Sequence, residues 1–250
     1  MVCGASQGIG KAIAIEIARL GGRVVVLARS EDKLSKTLSE LEKSNDHFAL
    51  ACDLMDLEQL DNKLNQILER TGPIEVLVCN SGGPKGGPLI EAEDAEFLAG
   101  FTNHILASER LVRHLLPGMK ERSYGRIINI ISTSVKAPIP NLGVSNVIRG
   151  AVANWAKTLS MELAPFAITV NNVLPGYTQT PRLDALVAAA AKRRDLPVEK
   201  IIKEWEAKVP LGRFAQPEEV AAAAAFLASP AAGYINGINL PVDGGRTGSL

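Results

Sequence analysis

Seven residues near the start, Gly4-Ala5-Ser6-Gln7-Gly8-Ile9-Gly10, constrain this chain more than any other feature, because they run straight into a helical stripe of Ile9, Ile13, Ile17 and Leu20. Glycines let the backbone turn tightly and approach a ligand closely. The first turn of the helix that follows offers unpaired N–H groups and the positive end of its dipole, which suits a phosphate. The order strand, G-x-x-x-G-x-G, helix therefore predicts a dinucleotide diphosphate cradle, with a spacing that differs from the commoner G-x-G-x-x-G.

The rest of the chain alternates strand-like and helix-like patterns from end to end, the signature of a parallel sheet covered on both faces. Strands are expected at 23–28, 48–52, 74–79, 126–132, 168–174 and 238–241. Apolar spacing at Leu57, Leu60, Leu64, Ile67 and Leu68 gives one amphipathic helix, and 151–163, with Trp155 and Leu159, gives another. A stretch at 181–208 rich in Ala, Lys and Arg reads as a helical flap inserted after a strand end, and Pro217-Glu218-Glu219 opens a further helix. Only Met1, Val2 and Cys3 precede the glycine loop, so the given start is expected to fall inside the first strand.

With 250 residues and 46% hydrophobic content, the chain can bury one substantial core, and a single domain is expected. Its net charge is zero and it has no basic run, which argues against nucleic acid and anionic membranes. No apolar stretch reaches membrane-span length and no secretory pattern opens the chain, so a cytoplasmic protein is expected. Cys3, Cys52, Cys79, His47, His104 and His114 lack ligand spacing, so no metal site is expected.

Together these landmarks resemble the short-chain dehydrogenase/reductase family over almost the whole chain. Cys3-Gly4 through Gly10 correspond to its T-G-x-x-x-G-x-G loop, and Asp53 matches the acid that holds the adenine ring, with Leu54 beside it. Asn80-Ser81-Gly82-Gly83 resembles the N-N-A-G element and Asn103 the helix-borne Asn of the catalytic tetrad. Pro175-Gly176, Thr178 and Thr180 match the segment that receives the nicotinamide carboxamide, and Asp243-Gly244-Gly245 the closing turn. The resemblance implies a Rossmann-type, doubly wound α/β domain of three layers with a seven-stranded parallel sheet. It further implies a nicotinamide cofactor contacted by Gly4, Ser6, Gln7, Gly8, Ile9 and Gly10, a small-molecule carbonyl or alcohol substrate under a flap at about 177–209, and a homodimer or homotetramer.

Cofactor choice is legible at the end of the second strand. An acid there would accept ribose hydroxyls and repel a 2′-phosphate, but Ala28-Arg29-Ser30 offers a guanidinium and a hydroxyl, so NADP(H) is favoured over NAD(H).

The pattern breaks at the chemistry. Ser132 fits the family's Ser, but the expected Tyr-x-x-x-Lys reads Ser145-Asn146-Val147-Ile148-Arg149, and no Tyr lies between Tyr124 and Tyr177. A phenol with a pKa of about 10, lowered by a cation, can deliver a proton; an alkyl hydroxyl is a far poorer acid. Arg149 keeps the charge of the lysine and can hold ribose hydroxyls or an oxyanion, but it cannot relay protons. Three readings follow: an oxidoreductase working through Asn103, Ser132, Ser145, Arg149 and water; one in which Tyr177 swings in as the acid; or an NADP(H)-responsive sensor or scaffold without turnover.

Overall fold

The computed structural model describes residues 1–43 and 45–249. Seven parallel strands are β1 (Val2–Cys3), β2 (Val25–Ala28), β3 (Phe48–Ala51), β4 (Val76–Cys79), β5 (Gly125–Ile130), β6 (Ile168–Pro175) and β7 (Asn239–Val242). They lie in the order β3-β2-β1-β4-β5-β6-β7, so the direction of winding reverses between β1 and β4. A crevice at such a switch point, over the carboxyl ends of the strands, is where ligands bind in open α/β sheets.

Strand side chains alternate between two cores, one on each face of the sheet. Cys3, Leu27, Leu77 and Ile127 point to one, which α3 (Leu57–Thr71) and α5 (Ala107–Glu121) cover through Leu60, Leu64, Leu111 and Leu115. Val2, Val26, Val78 and Ile128 point to the other, beneath α1 (Gly8–Arg19), α2 (Glu31–Glu40) and α9 (Pro217–Ala228). Each fully buried Leu or Ile contributes roughly 1.5–3 kcal/mol of transfer free energy, so the two layers hold most of the fold's stability. Helices α1 and α9 pack together. Their buried faces are small, with Ala12, Ala14 and Ala18 on α1 and Ala221, Ala224 and Ala225 on α9, which lets the backbones approach.

A polar ladder pins the sheet's register beside the crevice. Asn129 donates to Asn172 Oδ1 at 2.9 Å and Asn172 donates to Asn239 Oδ1 at 2.8 Å, tying β5, β6 and β7 through two buried amides and one exposed one. Strand ends differ from the sequence expectation by one or two residues. The strand expected at 126–132 stops at Ile130, because the Ser132 hydroxyl accepts the Ser134 N–H and turns the chain into a short 3-10 helix, Thr133–Val135. The helix expected at 151–163 is α6 (Gly143–Leu163), which takes in Ser145 and Arg149 on its first turns; its apolar stripe runs back through Val144, Ile148 and Val152.

The 181–208 stretch forms two helices, α7 (Pro181–Arg194) and α8 (Val198–Glu206), broken at Asp195, which adopts a left-handed conformation before Pro197. They share a small core of Leu183, Val187, Ile201 and Phe214, and the Arg194–Glu204 pair crosses between them. Helix α4 (Asp94–Phe101) runs on into α5 through a π-helical turn, Thr102–Leu106. No helix among the described residues is long and apolar enough to cross a membrane.

Candidate active site

The glycine loop leaves β1 and enters α1 with Gln7 at the N-cap position, and no side chain caps the helix and no acid stands in its first turn. By contrast Ser30, Asp56 and Thr180 cap α2, α3 and α7. The positive end of α1 thus faces the crevice with free amides, as an anion site requires. Gly4 and Gly8 hold positive φ angles of 60° and 56°. A β-carbon at Gly10 would fall 2.3 Å from the Gly4 carbonyl oxygen and 2.6 Å from Asn80 Nδ2. The loop is that tight because the Asn80 amide, at the end of β4, donates to Cys3 O at 3.3 Å and Gly4 O at 3.5 Å. The residues present therefore fit a dinucleotide: backbone approaches closely, donors are free, and no side chain fills the cradle.

At the end of β2, Arg29 is exposed and forms no ion pair among the described residues. Ser30 accepts the Lys33 N–H at 3.4 Å, which leaves its own O–H to donate. The sequence reading missed Lys33, whose ammonium donates to Gln7 Oε1 of the glycine loop at 3.3 Å, so a second cation stands beside Arg29's end of the crevice. Its position three residues after the N-capping Ser30 was the available signal. Thr37 completes the link by donating to Ala5 O at 3.0 Å. Past β3, Asp53 accepts the Met55 N–H at 3.0 Å, holding a turn whose neighbour Leu54 lines the deep part of the crevice.

That deep niche is lined by Leu54, Asn80, Ser81, Asn103, His104, Ile130, Ile131 and Arg149 among others. The π-helical turn aims two consecutive side chains there; such bulges are frequent at functional sites. Asn103 Nδ2 donates to Gly82 O at 3.1 Å, and His104 Nδ1 pairs with Ser81 Oγ at 2.7 Å. Burial and then the nearby Arg149 charge hold the His104 pKa down to about 3, so its ring is neutral, with a buried Nε2 that has no partner among the described residues. Sequence reading did not single out His104, because a lone His on a helix carries no ligand or catalytic spacing.

Arg149 is only 7% exposed; its Nη1 donates to Ile130 O at 2.9 Å, and its buried Nε has no partner among the described residues. Burial, then the Arg182 charge, lower its pKa to about 10, which leaves it charged at neutral pH. Ser145, one helical turn earlier on α6, is buried, and among the described residues its hydroxyl bonds no protein group. Ser132 uses a lone pair on the Ser134 N–H, so its O–H is free to donate. Tyr177 does not stand ready as a mobile acid: its ring stacks on Trp205 at 5.0 Å, meets Phe214 edge-on at 5.7 Å and lies under Arg246. The swing-in reading requires Tyr177 to leave that packing, which would break an aromatic cluster at the root of the flap.

Past β6, Gly176 lies against Asp243, whose carboxylate accepts the Gly245 and Thr247 N–H groups and holds the closing turn. Thr178 is buried; Thr180 caps α7 through Leu183 N and would sit 3.2 Å from a β-carbon at Gly8. The flap's first residues thus touch the glycine loop. Cys3 and Cys79 also line the niche as free, buried thiols; burial raises both, Cys79 to about 12, so neither is a ready nucleophile.

The family described as enoyl-(acyl carrier protein) reductase matches residues 4–247. The chain belongs to the short-chain dehydrogenase/reductase family. The NADPH-dependent reductase BacG of Bacillus subtilis (strain 168) is 31% identical over 252 residues, covering 100% of this chain and 97% of that protein. The 3-oxoacyl-(acyl-carrier-protein) reductase FabG of Rickettsia prowazekii (strain Madrid E) is 35% identical, covering 98% of this chain and 95% of its own length. The crystal structure of YwfH, an NADPH-dependent reductase of bacilysin biosynthesis, superposes with a TM-score of 0.95 at 31% identity, covering 100% of this chain and 98% of that one.

Proposed function

We propose that this protein is an NADP(H)-dependent reductase or dehydrogenase of a carbonyl/alcohol pair, with Ser145 and Arg149 standing where the family carries Tyr and Lys. The observation that carries the reading is the uncapped start of α1, seated at the sheet's switch point in a loop whose glycines leave no room for a side chain. In this reading Gly4, Ser6, Gln7, Gly8, Ile9 and Gly10 hold the diphosphate, Arg29, Ser30 and Lys33 the 2′-phosphate, and Asp53 and Leu54 the adenine. Asn80, Ser81, Gly82, Pro175, Gly176, Thr178 and Thr180 border the nicotinamide half. The bound cofactor would supply or accept the hydride.

The chain's own groups do the rest. Ser132 donates its free O–H to the substrate oxygen, and the permanent charge of Arg149 offsets negative charge that develops there, worth most in a buried site. Asn103 braces the loop after β4, and Ser145 leaves the space of a phenol to water or to a larger substrate. The flap at about 177–209, hinged where Thr180 meets Gly8, covers the substrate. Exposed Leu98, Phe101, Val147 and Met161 on α4 and α6 support association with further copies of the chain.

A second reading, an NADP(H)-binding sensor or scaffold, is favoured by one specific feature: the nearest candidate phenol, Tyr177, is locked into the flap's aromatic cluster. Titration with NADPH followed by nicotinamide fluorescence, then absorbance loss with a panel of ketones, separates the two. Turnover that Ser132→Ala abolishes supports the enzyme; tight binding with no turnover on any ketone supports the sensor. No binding of either cofactor form refutes both.

A further inference from the structure

Two arginines converge on Gly83, and among the described residues no carboxylate meets either of them. A β-carbon there would lie 3.5 Å from Arg182 Nη2 and 3.6 Å from Arg149 Nη2. Arg149 is more than nine-tenths buried, has an orphaned Nε and forms no ion pair; Arg182, reaching over from the flap helix α7, donates Nη2 to Pro84 O at 2.8 Å and likewise forms none among the described residues. Taking a charge out of water without a counter-ion costs several kcal/mol, so a buried unpaired guanidinium beside a second one marks a place where an anion belongs. The mutual effect is visible in Arg149, whose pKa is depressed by burial and by the Arg182 charge.

We infer that the substrate carries a carboxylate, seated at Gly83 between Arg149 and Arg182. The inference rests on the carbonyl-reductase reading and adds the substrate's class, an oxo acid or its hydroxy counterpart. The cofactor's phosphates have their own partners elsewhere: the diphosphate at the α1 terminus after β1, the 2′-phosphate at Arg29 and Lys33 after β2. Gly83 follows β4 on the other side of the switch point, next to β5. Arg149 also bonds Ile130 O, two residues before Ser132, so the acid group and the hydroxyl that meets the carbonyl oxygen flank the same strand end. The planar fork of a guanidinium matches a carboxylate's two oxygens, and having one of the two forks on the flap couples acid binding to closure.

The test is calorimetric titration of pyruvate, acetoacetate and levulinate against their primary amides, on NADPH-loaded and unloaded protein at pH 7. At least one acid should bind about tenfold or more tighter than its amide, and Arg182→Met should shrink that preference below about threefold while Arg182→Lys keeps most of it. NADPH affinity of Arg182→Met should stay within about threefold of the original. Equal binding of acid and amide at every chain length, or a preference untouched by Arg182→Met, overturns the inference. A collapse of NADPH affinity in Arg182→Met without any acid preference assigns the two cations to the cofactor and overturns it too. Failure of the unaltered protein to bind NADPH refutes the cofactor reading instead, and the comparison on unloaded protein still decides this one.

Discussion

Replacing Gly10 by Ala tests the cradle most directly, because the new methyl would meet backbone that cannot rotate away. Its distances to the Gly4 oxygen and Asn80 Nδ2, 2.3 Å and 2.6 Å, are far inside the contact distance of roughly 3.5–4.0 Å. Overpacking of this kind costs about 1–3 kcal/mol. Opening the loop also breaks the Asn80 bonds to Cys3 O and Gly4 O, each worth about 1 kcal/mol net, while helix propensity returns about 1 kcal/mol because Gly10 lies in α1. The balance is a loss of about 2–4 kcal/mol, or about 4–16 °C in Tm at this chain length. Gly150→Ala is the matched control: it is also helical, in α6, but its β-carbon meets nothing within 4 Å, so only the propensity gain remains and Tm should rise by about 2–4 °C. Thermal unfolding by circular dichroism reads both, and NADPH fluorescence should report an affinity drop of about tenfold or more for Gly10→Ala alone. Matching Tm and NADPH affinity in the two variants would refute the close-approach argument.

Arg29→Asp should move preference toward NAD(H) by about tenfold or more in the ratio of the two dissociation constants, because a carboxylate there repels a 2′-phosphate and accepts ribose hydroxyls; an unchanged ratio would leave the phosphate to Lys33 alone. Ser145→Tyr combined with Arg149→Lys should raise kcat on simple ketones by about a hundredfold or more, the scale of general-acid catalysis, and a flat or falling rate would mean that the native pair serves a substrate a phenol would exclude. His104 makes stability acid-sensitive: its folded pKa, lowered to about 3, lies below the unfolded value of 6.5, so the unfolded state takes up the proton first. Its contribution is therefore fully present above about pH 6.5 and is lost as pH falls toward 3, by at most about 1.4 kcal/mol per pH unit. His104→Asn should flatten urea-derived stability between pH 6 and pH 4.5, and identical slopes would refute the assignment.

Much of the fold is legible because periodicity reports burial. The strands alternate between two cores and the helical stripe at Leu57–Thr71 faces one of them, so their positions follow from apolar spacing, while α9 is legible from Pro217-Glu218-Glu219 at its start. Boundaries slip where a side chain overrides the pattern, as when the Ser132 hydroxyl ends β5 early. At the site, the glycine loop could be found because a cofactor cradle imposes local spacing, and Asn80 and Asn103 through the family resemblance. Lys33, His104 and Arg182 could not, because each reaches its place through tertiary geometry: a helix cap, a π-helical turn and a flap folded back over a loop ninety-eight residues away. The aromatic packing of Tyr177 is likewise not legible, since its partners Trp205 and Phe214 lie far downstream in the chain.

If Ser145 and Arg149 stand where the family carries Tyr and Lys, as proposed above, the two substitutions are physically one change. A titratable cation beside a phenol serves to lower the phenol's pKa and to pass a proton along; once the phenol is gone, nothing remains to be tuned, and a cation that never releases its proton loses no function the site still has. Arginine then brings something lysine does not, a planar fork held by the Ile130 carbonyl and ending beside a second fork from the flap. The neutral His104 ring and the buried thiols around it offer no negative charge in return. The niche therefore keeps an unbalanced positive charge in a buried setting, where attraction to an anion is strongest and the cost of having none is highest. On the proposed reading, such a site trades proton delivery for selection by charge, and the acid-versus-amide titration measures that selection directly.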